Sequence, residues 1–128
     1  MLVKITALYS ALCALLVLAL AYLVTRQRHL VKVNLGDGGQ EPLQLAIAVH
    51  RNAVEYIPIA LLLMLIAELD HAPGWLLHGF GVALLVGRLL HAEGLSRSSG
   101  ESFGRFSGTL LTWVVIAGLA IVNLIRLT

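Results

Sequence analysis

Four long apolar runs constrain the fold of this chain more than any other feature. They cover residues 5–24, 43–69, 75–93 and 106–125. Each is close to or longer than the ~20 residues with which an α-helix crosses the hydrocarbon core of a bilayer. Their apolar residues do not alternate with polar ones, as those of membrane barrel strands do. The sequence therefore predicts an all-α membrane protein, a four-helix transmembrane bundle with residues 1–128 as a single domain.

The composition agrees with a membrane protein and argues against a soluble one. Hydrophobic residues make up 59% of the chain and charged residues 12%, whereas soluble domains are about half apolar and a quarter charged. The net charge of +2 gives no argument for nucleic acid. The first apolar run is longer than the hydrophobic segment of a signal peptide, so we expect a retained first helix.

Lysine and arginine positions predict the orientation in the membrane. The loop after the first run carries Arg26, Arg28 and Lys32, and the loop after the third carries Arg97 and Arg105. The short turn between the second and third runs carries no lysine or arginine. Because cytoplasmic loops are enriched in these residues, we expect both of these basic loops in the cytoplasm and both termini outside it.

The second run contains a polar segment where apolar residues would be expected. His50, Arg51, Asn52 and Glu55 fall within six positions, and Pro58 follows. On a helix, Asn52 and Glu55 share a face and Arg51 reaches Glu55 one turn later. Ionisable groups inside a membrane span are costly and usually mark a functional site. The alternative is an ion pair that only fixes helix packing, and the partner of Glu55 is either Arg51 or Arg88.

The third run adds two further polar residues to the same half of the bundle. Arg88 and His91 share a helix face at i,i+3 spacing. Together with the arginines of the two loops, they are expected to place several positive charges around the carboxylate of Glu55. Guanidinium groups bind carboxylates in a bidentate fashion, and a carboxylate accepts from an ammonium group. The pattern predicts a small zwitterionic ligand with several carboxylates, and no metal site; the alternative is a set of positive-inside anchors.

These residues also carry a family resemblance. The segments "HRNAVEYIP" and "GRLLHAEGLSRS", in a four-span chain of this length, resemble the MAPEG family (membrane-associated proteins in eicosanoid and glutathione metabolism), and most closely its small bacterial branch. The resemblance implies a homotrimer in a bacterial inner membrane. It also implies glutathione as cosubstrate, bound at the subunit interfaces near the cytoplasm.

The resemblance assigns roles to individual residues. Glu55 is expected to hold the glutathione amino group, and Arg105 or Arg97 to stabilise the thiolate. The expected glutathione-binding residues are Asn52, Glu55, Tyr56, Arg51, His50, Arg88, His91, Arg26 and Arg28. Two positions depart from the family pattern: Ala48 stands where members usually have arginine, and Leu95 where eicosanoid-pathway members have tyrosine.

Three functions are compatible with these residues. The first is a glutathione transferase or peroxidase acting on lipophilic electrophiles, including lipids. The second is a non-catalytic membrane binder of a lipid or anionic metabolite, which the absence of arginine at Ala48 favours. The third is a structural membrane assembly protein.

Overall fold

The computed structural model describes residues 2–97, 100 and 102–127, with the backbone alone for residues 95–97. They form four α-helices: α1 Lys4–Val31, α2 Glu41–Leu69, α3 Gly74–Arg97 and α4 Phe103–Ile125. All four helices are long and apolar enough to cross a membrane. The described residues contain no strand. The predicted all-helical membrane bundle is therefore confirmed.

Helix α1 is longer than its apolar run predicted, because it continues from residue 24 to Val31. Five of the seven added residues are polar or basic, but none of the seven is glycine or proline, so their helix propensity carries α1 beyond the apolar part. The helix ends at Lys32, which adopts a left-handed conformation with φ 55°. The first loop is therefore shorter than the hydropathy pattern indicated.

Helix α2, like α3, contacts each of the other three helices. Small residues such as Ala53, Ala60 and Ala67 are buried along it, which lets the neighbouring helices approach closely. The rest of the core comes from all four helices and includes Cys13, Leu20, Leu77, Leu84, Val115 and Leu119. Leu61, Leu63 and Phe80 pack partly buried against this core.

Helices α3 and α4 form the closest pair, and glycines lie where the two helices meet. A Cβ atom built on Gly108 would lie 2.5 Å from the carbonyl oxygen of Gly87 and 2.5 Å from the backbone nitrogen of His91. One built on Gly104 would lie 2.8 Å from the carbonyl oxygen of Leu90. These contacts are made with backbone, so the two helices approach only because both positions lack a side chain.

The end of the bundle that holds the α2–α3 turn is fixed by hydrogen bonds between helices. The N-cap residue of α1, Val3, makes no side-chain hydrogen bond to the first turn. The carboxylate of Glu68 on α2 caps this turn instead, because it accepts from the backbone N–H groups of Ile5, at 2.9 Å, and Thr6, at 2.7 Å. A carboxylate is favoured there by the unpaired N–H groups and by the helix dipole. On α3, the carbonyl oxygen of His78 accepts from the hydroxyl of Tyr9 at 3.2 Å.

Candidate functional site

The polar segment lies at the midpoint of α2. Glu55 is about 21 Å along the helix axis from Glu41, and about as far from Leu69 at the other end. Pro58 follows within the unbroken helix and deprives the carbonyl of Val54 of its usual donor. Arg51, Asn52 and Glu55 are hereafter the α2 polar face.

Arg51 and Glu55 form an ion pair on the outer surface of the four-helix bundle. Nε of Arg51 is 3.5 Å from Oε1 of Glu55, and the two side chains are 75% and 57% exposed. This answers the question that the spacing left open, because Glu55 pairs with the residue one turn earlier on its own helix. The pair faces away from the core, at the depth of the membrane where charge is most costly.

Arg88 turns the other way, into the bundle, where it is 1% exposed. One terminal nitrogen, Nη2, donates to Oδ1 of Asn52 at 2.5 Å and to Nδ1 of His91 at 3.3 Å. The other, Nη1, donates to Oγ1 of Thr112 at 3.4 Å. We call these residues the Arg88 network; they join α2, α3 and α4.

The Arg88 network holds a cation without a neutralising carboxylate. None of the ion pairs among the described residues involves Arg88, and its buried Nε has no hydrogen-bond partner there. An uncompensated charge in a low-dielectric interior is expensive. Asn52, which accepts from Arg88, is half-buried and shares its helix face with Glu55 of the exposed ion pair. The arrangement therefore favours an anionic group near Asn52.

The other predicted α2 residues lie on different sides of the helix. Tyr56 is half-buried and one turn after Asn52, so it lies on the same side. His50 is also half-buried, but it lies about 200° around the helix from Asn52. The structure therefore groups Tyr56 with the α2 polar face and places His50 apart from it.

The two predicted arginines at the end of α1 differ in their surroundings. Arg26 is exposed. Arg28 is half-buried, and its Nη1 donates to the carbonyl oxygen of Gly36 at 2.7 Å and of Val33 at 3.5 Å. Within the described residues, no hydrogen bond or ion pair joins either arginine to the α2 polar face.

The two arginines predicted to stabilise a thiolate flank the α3–α4 connection, because the two helices extend beyond their apolar runs and include them. Arg105 is half-buried in the first turn of α4, and its Nη1 donates to the carbonyl oxygen of Gly100 at 3.4 Å. It lies one turn before Gly108, which packs against His91. Arg97 ends α3, and its side chain, like that of Leu95, lies outside the described residues.

Comparison with known proteins identifies the family. The sequence model of the MAPEG family matches residues 6–125, which is nearly the whole chain. The chain belongs to the MAPEG family. It is also 42% identical over 120 residues to the inner membrane protein YecN of Escherichia coli K12, covering 94% of this chain and 90% of that protein. The protein of the same name from E. coli O6:H1 strain CFT073 gives the same figures.

Family membership and the four spanning helices together support a multi-pass membrane protein, and the relative YecN is an inner membrane protein. The resemblance that the motifs indicated is confirmed at the level of the family. Ala48, the departure from the family pattern, is half-buried, packs against the core and lies one turn before Asn52. This MAPEG chain therefore presents no guanidinium at that point of its α2 surface.

One member of the Arg88 network was missed by the sequence analysis. Thr112 is fully buried on α4; its hydroxyl donates to the carbonyl oxygen of Gly108 at 2.8 Å and accepts from Arg88. The available signal was a threonine in an apolar run, one turn after Gly108. Threonine is common in membrane helices, and only the packing of α3 on α4 brings it to Arg88.

Proposed function

We propose that this MAPEG protein binds glutathione on the α2 polar face and uses it on lipophilic electrophiles. The observation that supports this most strongly is the exposed Arg51–Glu55 pair at the midpoint of a membrane-spanning helix. Exposing an ion pair to lipid at the middle of a membrane span costs roughly several kcal/mol of free energy. A partner subunit and a polar ligand remove that cost by covering the pair.

The cover we propose is a second and third copy of the chain, in a homotrimer. Beyond the ion pair, the same side of α2 continues with Leu62, Ile66 and Leu69, which are all exposed. Their spacing of three and four residues makes one apolar stripe, suited to helix–helix contact. Self-association through this stripe places the α2 polar face at a subunit interface, with the first and third loops in the cytoplasm and both termini outside.

Glutathione matches the charges of this interface. Its ammonium group pairs with the carboxylate of Glu55, and its carboxylates pair with guanidinium groups such as those of Arg51 and Arg26. Asn52, held by Arg88, bridges to the peptide part. Tyr56 contributes a hydroxyl on the same side. In this proposal Arg88 and His91 act by positioning Asn52, whereas His50 and Arg28 contribute from their own faces to neighbouring copies.

The chemistry requires a thiolate and no covalent protein nucleophile. A guanidinium near the sulfur, from Arg105 or Arg97, favours the deprotonated thiol, whose proton passes to water. The thiolate then forms a carbon–sulfur bond as the leaving group departs with the bonding pair. With a lipid hydroperoxide, two glutathione molecules are oxidised to the disulfide and the peroxide is reduced to an alcohol and water. Binding and orientation supply most of the rate.

A non-catalytic binder of a lipid or anionic metabolite is the second candidate. It is favoured by Ala48, which removes a guanidinium from the surface where a glutathione carboxylate would lie. A purely structural role for the Arg51–Glu55 pair is the third. Each of them predicts a different outcome in the experiment below.

Calorimetric titration of glutathione into the detergent-purified protein tests the proposal, with native mass spectrometry of the same sample to report the oligomer. We expect saturable binding to a trimer, followed by turnover in a conjugation assay with a broad panel of electrophiles. Binding without turnover supports the non-catalytic candidate. No binding to a folded trimer overturns glutathione as the ligand and leaves the pair as a packing element.

Arg88→Met tests the positioning role of the Arg88 network. Replacing a buried charge by an apolar side chain of similar length is often neutral or stabilising, so we expect the thermal midpoint to stay near that of the wild type. Asn52 loses its donor, and glutathione affinity should fall about tenfold, the worth of one good hydrogen bond to a charged group. A variant that keeps full affinity would exclude a role of Arg88 in the site.

A further inference from the structure

A second polar cluster lies away from the α2 polar face, where α1 leaves the apolar layer. A pocket of about 340 Å³ is lined by Thr25, Arg28, His29, Lys32 and Asn34. We call it the α1 basic pocket. No acidic side chain is among these described lining residues. The Thr25 hydroxyl donates to the carbonyl oxygen of Ala21 at 3.2 Å, and Nδ1 of His29 lies 2.9 Å from the carbonyl oxygen of Thr25. The groups left to donate to a ligand are the ammonium of Lys32, the amide of Asn34 and the remaining N–H groups of Arg28, which suit phosphate oxygens.

The α1 basic pocket continues an apolar stripe on the same side of the helix. Leu15, Leu18 and Tyr22 are 64%, 65% and 67% exposed. Spacings of three and four residues carry the stripe on through Thr25 and then His29 and Lys32. The stripe lies on the side of α1 opposite its buried residues, which include Cys13 and Leu20.

We propose that the α1 basic pocket binds the headgroup of an anionic phospholipid whose acyl chain lies along this stripe. From Thr25 to Leu15 the stripe is about 15 Å long, which is the length of much of one acyl chain. Tyr22 lies between the apolar and polar parts, where aromatic side chains favour the membrane interface. This continuity favours a membrane lipid over a soluble phosphate ester.

Lys32 is the residue on which the site depends most. It adopts φ 55° at the end of α1, a conformation in which glycine is the usual residue because other side chains are strained there. Strained backbone at a non-glycine position often accompanies a functional side chain. Interaction with the helix dipole explains a basic residue in this turn, but not its place in a pocket that is also lined by Arg28 and Asn34.

Arg28 preorganises one wall of the pocket. By donating to the carbonyl oxygens of Val33 and Gly36, it draws the loop back over the end of α1. Asn34, between those two residues, is thereby placed in the lining. Leu35 follows and is 90% exposed, which puts an apolar side chain next to the headgroup where lipid can cover it.

The test measures lipid selectivity in the intact chain. Wild-type protein is reconstituted in nanodiscs that contain phosphatidylglycerol and phosphatidylcholine of identical acyl chains, and the lipids retained on release are quantified by native mass spectrometry. We expect preferential retention of phosphatidylglycerol. Lys32→Gly should lower that preference about fivefold, the effect of one lysine near an anionic membrane surface. Lys32→Arg should keep it.

Two controls separate the pocket from general charge and from misfolding. Arg26→Gln removes an equal charge from the same end of α1 but outside the pocket lining, and should leave the lipid preference unchanged. Glycine adopts the conformation of Lys32 without strain, so Lys32→Gly should melt at or above the wild-type temperature. If it melts lower, Lys32→Gln replaces it in the comparison.

Three results would overturn the proposal. The first is equal retention of the two lipids by the wild type. The second is an undiminished preference in both Lys32→Gly and Lys32→Gln. The third is that the protein shows no lipid preference but binds glycerol 3-phosphate saturably, and that this binding is lost when Lys32 is replaced. That result would assign the pocket to a soluble phosphate ester.

Discussion

Glu55→Gln should lower glutathione affinity by roughly 30-fold or more, because removing one partner of a desolvated charge pair commonly costs 2 kcal/mol or above. The amide keeps the size of the side chain but loses the charge that the ligand's ammonium requires. Arg51 then faces the interface without the 3.5 Å ion pair that it makes in the wild type. Titration calorimetry on the two proteins, in the same detergent, measures the difference.

The control for Glu55→Gln is Glu41→Gln, at the start of the same helix. It removes the same charge about 21 Å away and should leave affinity unchanged. Native mass spectrometry should show both variants as trimers. If Glu55→Gln instead dissociates the oligomer, and Arg51→Gln does so equally, the pair is a packing element. Undiminished affinity in an intact trimer would remove Glu55 from the ligand site.

Gly108→Ala should cause a large loss of stability at the contact between α3 and α4. The new Cβ would lie 2.5 Å from two backbone atoms, the carbonyl oxygen of Gly87 and the nitrogen of His91. Neither atom can rotate away, so the helices must separate. Overpacking of this kind costs about 1–3 kcal/mol or more. A thermal melt of the purified protein should show a clearly lower midpoint.

Gly79→Ala is the matched control for that experiment. Gly79 is also within a membrane-spanning helix, but an added Cβ meets no atom within 4 Å. Alanine is the better helix former by about 1 kcal/mol, so this variant should melt at or above the wild-type temperature. A wild-type midpoint for Gly108→Ala would show that α3 and α4 adjust without loss. Equal destabilisation by both substitutions would point to general intolerance of α3 and α4 to alanine.

The four membrane spans could be predicted closely because hydropathy reports the environment of each residue directly. The main error was at the end of α1. Residues 25–31 are polar enough to leave the hydrocarbon, and hydropathy therefore assigned them to a loop. They remain helical because leaving the membrane does not require leaving the helix when no glycine or proline intervenes. The α1 basic pocket exists because of that extension.

The residues of the candidate site were largely predictable from the sequence, but the hydrogen bonds and ion pairs between them were only partly so. Spacing along one helix identified Arg51 as a possible partner for Glu55, since residues one turn apart are neighbours whatever the fold. It could not exclude Arg88, which lies on another helix. The motif segments also indicated the family, which comparison with known proteins confirmed.

The sequence by itself determined the membrane class, the number of spans and the polar residues at the middle of α2. Each of these follows from local properties: apolar length, helical periodicity and the cost of charge in lipid. Only the tertiary structure decided that Arg88 points inward to Asn52 and Thr112 while Arg51 and Glu55 face out. Which side chains point inward depends on how α3 and α4 approach one another at Gly108 and on which side of α2 they cover. Both are contacts between segments far apart in the chain, so local sequence patterns do not report them.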